Sequence, residues 1–175
     1  HAEIQARRRD VYGLVDILRE AGLVHVLAHP VFEMGARLDR AAIEKRLVLF
    51  GLWEFVNGSR PAGQNALAAR IAAGVDVTAL RQLASRHALP APPHRRIAGT
   101  GGSDDHGGIY GGATHTVLPR VGSVADLLEA MRYGEVWPAG ENGHPDKMAQ
   151  TGFKIAGLAF REHPPAAAEG AEAKL

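Results

Sequence analysis

Hydrophobic positions near the start of the chain change from helical spacing to one short, continuous apolar run. The i, i+3, i+4, i+7 spacing that is typical of an amphipathic helix occurs at Val11, Leu14, Val15 and Leu18. Gly22 can end this helix, because glycine readily adopts the left-handed conformation found after a last helical turn. Residues 23–29 then have the length and apolar character of a buried strand.

The same alternation continues downstream and predicts further helices and strands. Helices are predicted at about 40–50, 62–73, 78–89 and 124–133, and strands at 52–57, 97–100 and 113–118. Ser123 can cap the last of these helices, with Asp126 at the capping-box position, and Gly134 can end it. Apolar strands separated by helices indicate parallel βα units, in a doubly wound sheet or in part of a barrel. In both architectures the chemistry lies at the carboxyl ends of the strands.

Composition places the chain among ordinary globular proteins. Its 175 residues are 46% hydrophobic and 22% charged, which suits one soluble domain. A net charge of +1 argues against a strongly basic nucleic-acid surface, and no apolar stretch has the roughly 18–20 residues that span a membrane. Cysteine is absent, so disulfides and thiolate metal sites are excluded, and we expect a cytoplasmic location.

The two ends of the sequence suggest where the domain lies. The chain begins with His1 rather than methionine and runs directly into a helical segment, so we expect it to be a piece of a longer protein. Residues 164–173 are of low complexity, rich in alanine and proline, and have no packing pattern. We therefore assign residues 1–162 to the domain and residues 163–175 to a flexible tail or linker.

The strongest candidate chemistry lies in the glycine-flanked segment 101–108, which reads Gly-Gly-Ser-Asp-Asp-His-Gly-Gly. Asp104 and His106 are two residues apart and can both reach one divalent metal, while the glycines allow the backbone to turn sharply. Asp105 is expected to point away from that metal or to orient a neighbouring histidine. His29 ends an apolar run just before Pro30, so its imidazole can project into a crevice above the sheet.

Polar residues also stand at the end of the strand predicted at 52–57. Glu54 and Asn57 have opposite parity, so a regular strand would send only one of them inward, unless the strand ends near Val56. Asn57 is placed to orient a ligand or bind substrate. Arg60 follows in the turn and could hold a phosphate through two parallel hydrogen bonds, or be an ordinary surface arginine.

The remaining histidines are weaker candidates. His25 is too far along its strand to share a metal with His29 and is assigned to the core. His87 is assigned to a helix surface and His94 to a loop. His115 and His144 are second-tier candidates for the site.

Three motifs together resemble a known family. In their order and spacing, Ala28-His29-Pro30, the segment Trp-Glu-Phe-Val-Asn-Gly at 53–58 and Gly-Ser-Asp-Asp-His at 102–106 resemble the later motifs of the PHP domain, the polymerase and histidinol phosphatase superfamily. They look most like the PHP domains found beside or fused to bacterial group 1 glycosyltransferases. The resemblance runs from about residue 10 to residue 150. It implies a distorted (β/α)7 barrel with two or three Zn, Mn or Fe ions that activate water for phosphoester hydrolysis.

Motif matching carries roles onto individual residues. By this resemblance, the metal ligands are His29, Asp104 and His106. Glu54 is a further candidate ligand in the wall of the site, and Asn57 belongs to the same wall. Arg60 would contact the phosphate. Asp104, His106, Arg60 and Asn57 would form the catalytic set. The family opens with a strand bearing His-x-His, which has no counterpart here, so the resemblance implies the carboxyl-terminal portion of a partial barrel.

The sequence leaves three functions open. The leading expectation is a metal-dependent phosphoesterase that hydrolyses a small phosphorylated metabolite or sugar phosphate. The alternative is a non-catalytic accessory domain that packs against a fused or neighbouring glycosyltransferase. A third, a proofreading-type nuclease, is disfavoured by the near-neutral charge. We expect a small-molecule substrate and neither a membrane nor a nucleic-acid partner.

Overall fold

The computed structural model describes residues 2–32 and 38–162, which form seven helices and four strands. The helices are α1 Ala2–Arg7, α2 Val11–Glu20, α3 Arg40–Leu49, α4 Ala62–Ala73, α5 Val77–Arg86, α6 Val124–Tyr133 and α7 Pro145–Glu162. The strands are β1 Leu52–Asn57, β2 Ala98–Gly102, β3 Thr114–Val117 and β4 Trp137–Gly140. The predicted tail at 163–175 lies outside the described residues.

Two strands form the parallel pair that the sequence predicts. β1 and β2 run in parallel, with Leu52 opposite Ala98 at one end and Asn57 opposite Gly102 at the other. The strand predicted at 23–29 is wrong, because this segment contributes only an isolated bridge between Leu27 and Trp53. The other edge of this segment carries no described strand, and Leu23 remains 47% exposed. The segment therefore lies beside β1 without forming a regular strand.

The other two strands form a separate antiparallel pair. β3 pairs with β4, placing Thr114 opposite Gly140, so assigning the strand at 113–118 to a parallel unit was wrong. β4 was not predicted, since its sequence Trp-Pro-Ala-Gly carries two residues that are uncommon in strands. The Thr116 hydroxyl links this pair to β2 by bonding both the N–H and the carbonyl of Gly101, at 3.1 and 3.0 Å. The described residues thus form a mixed α/β structure in which neither sheet closes into a barrel.

The main core joins β1 to the helices that precede and follow it. Trp53 of β1 is fully buried and packs in one cluster with Val15 of α2, Leu47 of α3 and Leu80 of α5. A smaller cluster contains Leu52, Ala98 and Val136. None of the helices in residues 2–32 and 38–162 is long and apolar enough to cross a membrane.

The helix ends follow from local sequence. Ser123 caps α6 by accepting a hydrogen bond from the Asp126 N–H, and Gly134 ends the helix at a φ of 70°, as predicted. The Asp126 carboxylate accepts from the Gly122 N–H rather than from Ser123. The helix predicted at 78–89 spans Val77–Arg86, because Asp76 caps its start one residue earlier than predicted. It ends earlier, and Ala88 lies in the left-handed region, at a φ of 51°.

A buried carboxylate joins α3 to α5. Glu44 accepts hydrogen bonds from Arg40 (2.7 Å) and Arg86 (2.8 Å), and its other oxygen lies 2.7 Å from His87 Nε2. His87 was assigned to a helix surface, but this contact leaves its side chain only 12% exposed. The hydrogen bonds from Arg40 and His87, aided by Arg86, lower the pKa of Glu44 to about 2, although burial alone would raise it.

We predict that Glu44 contributes stability that is lost in acid. Its pKa in the folded protein lies below the ordinary value of 4.5, so the contribution is complete above pH 4.5 and disappears as the pH falls towards 2. Glu44→Gln should therefore destabilise the protein at pH 7 and much less at pH 2.5, as measured by urea unfolding at both values. Glu129→Gln, on the exposed face of α6, is the matched control and should change little at either pH. An equal effect of Glu44→Gln at both pH values would contradict the prediction.

Candidate active site

A bulge in β1 places Glu54 and Asn57 on the same side of the strand. The register with β2 shifts between Glu54 and Val56, so that Phe55 is the extra residue. One extra residue reverses the alternation of side chains, which resolves the parity conflict between Glu54 and Asn57. The sequence analysis offered a strand that ends near Val56 as the way out of this conflict; β1 ends at Asn57, and the bulge is what resolves the conflict.

The neighbouring strand leaves room for the Glu54 carboxylate at Gly102. A Cβ atom at this position would come within 2.3 Å of Glu54 Oε1. Any larger residue would displace the carboxylate, which is otherwise buried. Gly102 therefore permits the close approach of β1, and Gly101 in the same way permits that of the His115 carbonyl in β3. The sharp turn after the strand is made instead by Asp104, with a φ of 47°.

The Asn57 side chain holds two carboxylates together. Its Nδ2 donates to Glu54 Oε2 (2.7 Å) and to Asp104 Oδ2 (3.2 Å), and its Oδ1 accepts from the Ser59 N–H (2.8 Å). An amide nitrogen has two N–H donors, so this arrangement uses both. Asn57 is 1% exposed, and its amide thus joins the ends of β1 and β2 inside the protein.

The Asp104 loop is held from the β1 side. Ser59 Oγ donates to the Asp104 carbonyl (2.8 Å), and Arg60 Nη2 donates to Asp104 Oδ2 (3.2 Å). His106 Nε2 lies 3.3 Å from Asp104 Oδ1, while its ring is 78% exposed. Asp104 thus meets both the amide of Asn57 and the guanidinium of Arg60, with the His106 imidazole on its open side.

His29 reaches this cluster through its backbone. Its N–H donates to Glu54 Oε2 at 2.8 Å, while its half-buried imidazole packs edge-on against the Phe32 ring, with 5.6 Å between centroids. The backbone φ of His29 is 33°, in the left-handed region. Such a conformation costs of the order of 1 kcal/mol for a residue other than glycine and tends to occur at functional sites.

Arg60 lies against an aromatic ring beside the carboxylates. Its guanidinium carbon is 3.7 Å from the centroid of Phe32, a cation–π distance, and its side chain is only 17% exposed. Its Nε is buried with no hydrogen-bond partner among the described residues. Arg60 therefore lies largely buried beside Asp104, and the alternative of an ordinary surface arginine is wrong.

Asp105 organises its own loop. Its carboxylate accepts from the N–H groups of Gly107 (2.9 Å) and Tyr110 (2.5 Å), so it orients the backbone of its own loop rather than a histidine. Burial alone would raise its pKa, but the hydrogen bonds from the backbone N–H groups of this loop lower the pKa overall. Asp105 stays ionised and fixes the loop that carries His106.

The other histidines in residues 2–32 and 38–162 lie outside the cluster. His115 Nδ1 lies 3.1 Å from the Gly112 carbonyl, and His144 Nδ1 lies 3.2 Å from Asp146 Oδ2. His25 was assigned to the core, but it is half-buried, with Nδ1 3.0 Å from the Leu23 carbonyl. His94 follows α5 in a loop, as expected, and its Nε2 lies 2.9 Å from the Leu47 carbonyl.

Two asparagines that sequence reasoning missed support Asn57 from behind. Asn65 of α4 accepts from the Asn57 N–H (3.2 Å) and donates to the Asn57 carbonyl (3.0 Å). Its Nδ2 also donates to Asn142 Oδ1 at 2.7 Å, which links the loop after β4 to the site. The available signal was a polar residue on an otherwise alanine-rich helix face, and buried polar side chains need such partners.

The donor chemistry of this cluster fits a divalent cation. Carboxylates and imidazoles are ordinary ligands of Zn²⁺ and Mn²⁺, and Asp104 and His106 already lie side by side. Glu54 is one amide away, hydrogen-bonded to the same Asn57. Within residues 2–32 and 38–162, however, no three histidine or acidic side chains converge as a complete ligand set. Metal binding at these residues stays a prediction.

Comparisons with known proteins identified no relative of this chain. No family model, curated protein or solved structure matches this chain.

We predict that Asn57→Asp destabilises the protein. The change keeps the size of the side chain but removes both donors and adds a third carboxylate in a buried site, which should cost about 3–5 kcal/mol in the free energy of unfolding. Urea unfolding at pH 7 measures it. Asn142→Asp is the control, because the exposed Asn142 uses only its oxygen, which aspartate retains. Equal losses in the two variants would contradict the assigned role of Asn57.

Proposed function

We propose that this chain is part of a metal-dependent phosphoesterase domain of the PHP kind. The substrate would be a small cytoplasmic metabolite or sugar phosphate, carrying a phosphomonoester or phosphodiester. One observation carries the proposal: the Asn57 amide joins Glu54 and Asp104, which come from two separate sequence motifs, at the carboxyl ends of two parallel strands. This is the edge of an α/β sheet where ligands bind.

The negative charge of the cluster supports a cation there. Glu54 and Asp104 are both acidic and share one amide donor group, while Arg60 is the only described arginine or lysine in an ion pair with either. In the proposal, Asp104, His106, Glu54 and His29 hold Zn, Mn or Fe, as two or three ions in a complete domain. Bound ions of this kind lower the pKa of coordinated water and neutralise charge on a phosphoryl group.

Arg60 is proposed to bind the phosphate. Its guanidinium is planar, is held flat against Phe32, and has further N–H donors besides the one directed at Asp104. A guanidinium fixed in this way can donate two parallel hydrogen bonds to phosphate oxygens. Asn57 orients the carboxylates of Glu54 and Asp104, and so acts as a positioning residue.

We predict that phosphatase activity in the presence of Mn²⁺ or Zn²⁺ depends on Asp104 and His106. Asp104→Ala and His106→Ala should each lower kcat/KM for p-nitrophenyl phosphate or a sugar phosphate by at least about 100-fold, since loss of a ligand exceeds the effect of losing a residue that only orients one. His115→Ala, an exposed histidine of β3, is the control and should retain activity. Unchanged activity in the Asp104 and His106 variants would overturn the proposal.

A second candidate function has its own observation. Helix α7 exposes several large apolar side chains, and Phe153 is 81% exposed. Exposed apolar clusters of this kind are typical of interaction surfaces. This favours an accessory domain that packs against a fused or neighbouring glycosyltransferase. This second function predicts that the protein co-purifies with that enzyme and that Phe153→Ser abolishes the co-purification. The same result with metal-free protein that lacks phosphatase activity would support the second function over the first.

A further inference from the structure

A large cavity lies at the opposite end of the parallel pair from the candidate active site. It has a volume of about 750 Å³ and is bordered by Leu52 and Ala98, at the first residues of β1 and β2. The last turn of α6 and the chain just after α2 form its sides. Sites for small organic ligands commonly have volumes of about 300–1,000 Å³, so its size suits one such molecule.

Apolar side chains form much of the cavity wall. Leu52 and Ala98 belong to the smaller core cluster, against which the partly buried Val24 and Met131 pack. Leu23 and Tyr133 lie at the exposed rim. Protein interiors rarely leave voids larger than a water molecule, and apolar cavities of ligand size bind apolar groups. A space of this size beside a small core cluster is therefore suited to an apolar or aromatic group.

The charged residues that line the cavity are all cationic. They are Arg19, Arg95, Arg96 and Arg132. No aspartate or glutamate borders the cavity, and none of these arginines forms an ion pair with a carboxylate in residues 2–32 and 38–162. Asp16 interacts electrostatically with Arg19. Four guanidinium groups and no lining carboxylate still create a positive potential that favours an anion.

Backbone carbonyl groups hold three of these arginines in place. Arg19 Nη2 donates to the Leu49 carbonyl (2.7 Å), Arg96 Nη2 to that of Gly134 (2.9 Å) and Arg132 Nη2 to that of Gly22 (2.5 Å). A guanidinium has five N–H donors, so each retains others for a ligand. Because these groups are already ordered, binding an anion would cost less side-chain entropy.

We propose that this cavity binds a small organic anion, with its apolar or aromatic body between Leu52, Ala98 and Met131 and its carboxylate, sulfonate or phosphate group among the arginines. Burial lowers the pKa of His94, and the hydrogen bond to the Leu47 carbonyl opposes this only in part. The proposal therefore rests on the arginines as the cationic groups. This site is separate from the proposed phosphoesterase site and does not depend on it.

The test uses 8-anilinonaphthalene-1-sulfonate, an aromatic anion whose fluorescence rises in apolar surroundings. The protein should bind one molecule per chain, and Arg95→Gln combined with Arg132→Gln should weaken binding by at least about tenfold, because charge-assisted hydrogen bonds to the sulfonate are lost. Met131→Trp should also weaken binding, by filling the cavity. The near-ultraviolet circular dichroism spectrum verifies that each variant is folded.

Two controls make the result decisive. Arg8→Gln combined with Arg9→Gln removes the same charge from exposed positions that do not line the cavity and should leave binding unchanged. N-phenyl-1-naphthylamine, which has the same rings without the sulfonate, should bind at least tenfold more weakly. Equal binding of the neutral probe, or equal losses in the two double variants, would overturn the proposal. Half-stoichiometric binding with dimers in light scattering would also overturn it, in favour of a second copy covering the cavity.

Discussion

The side-chain amide of Asn57 is the contact on which the candidate site depends. Carboxylates at the ends of adjacent parallel strands repel each other, and in a buried setting each needs donors. Asn57 supplies a donor to Glu54 and to Asp104, while the Ser59 N–H fixes the opposite end of the amide. The bulge in β1 is what brings Glu54 and Asn57 to one side. Without that extra residue the amide and the Glu54 carboxylate would lie on opposite faces.

The two ends of the parallel pair have opposite electrostatic character. The Glu54 and Asp104 carboxylates lie towards the carboxyl ends. Two non-glycine residues nearby have left-handed backbone: His29, whose N–H donates to Glu54, and Asp104, whose carbonyl accepts from Ser59. The amino ends border an apolar cavity lined by four arginines. The two proposed ligands, a cation and an organic anion, therefore belong to opposite ends of the same two strands.

The sequence predicted the elements that satisfy their own hydrogen bonds or are buried by direct neighbours. Helices α2, α3, α4 and α6 and strands β1 and β2 follow from their apolar spacing and capping residues. The prediction of a strand at 23–29 and of a parallel unit at 113–118 was wrong, because a strand depends on a partner that local periodicity does not identify. Asn57 and Asp104 were placed at the candidate site by their positions at strand ends, whereas the parity of the strand set Glu54 apart from Asn57. The bulge, the backbone contact of His29 and the support from Asn65 depend on tertiary packing and could not be predicted.

The most direct test of the account is the location of a bound metal. Crystals of the protein equilibrated with Mn²⁺ should show an anomalous diffraction peak within about 2.3 Å of an Asp104 carboxylate oxygen, with His106 Nε2 and the Glu54 carboxylate turned towards the same position. The Asn57 amide should still contact at least one of the two carboxylates. No peak at Asp104, with Arg60 and Asn57 holding its carboxylate as they do here, would contradict the account.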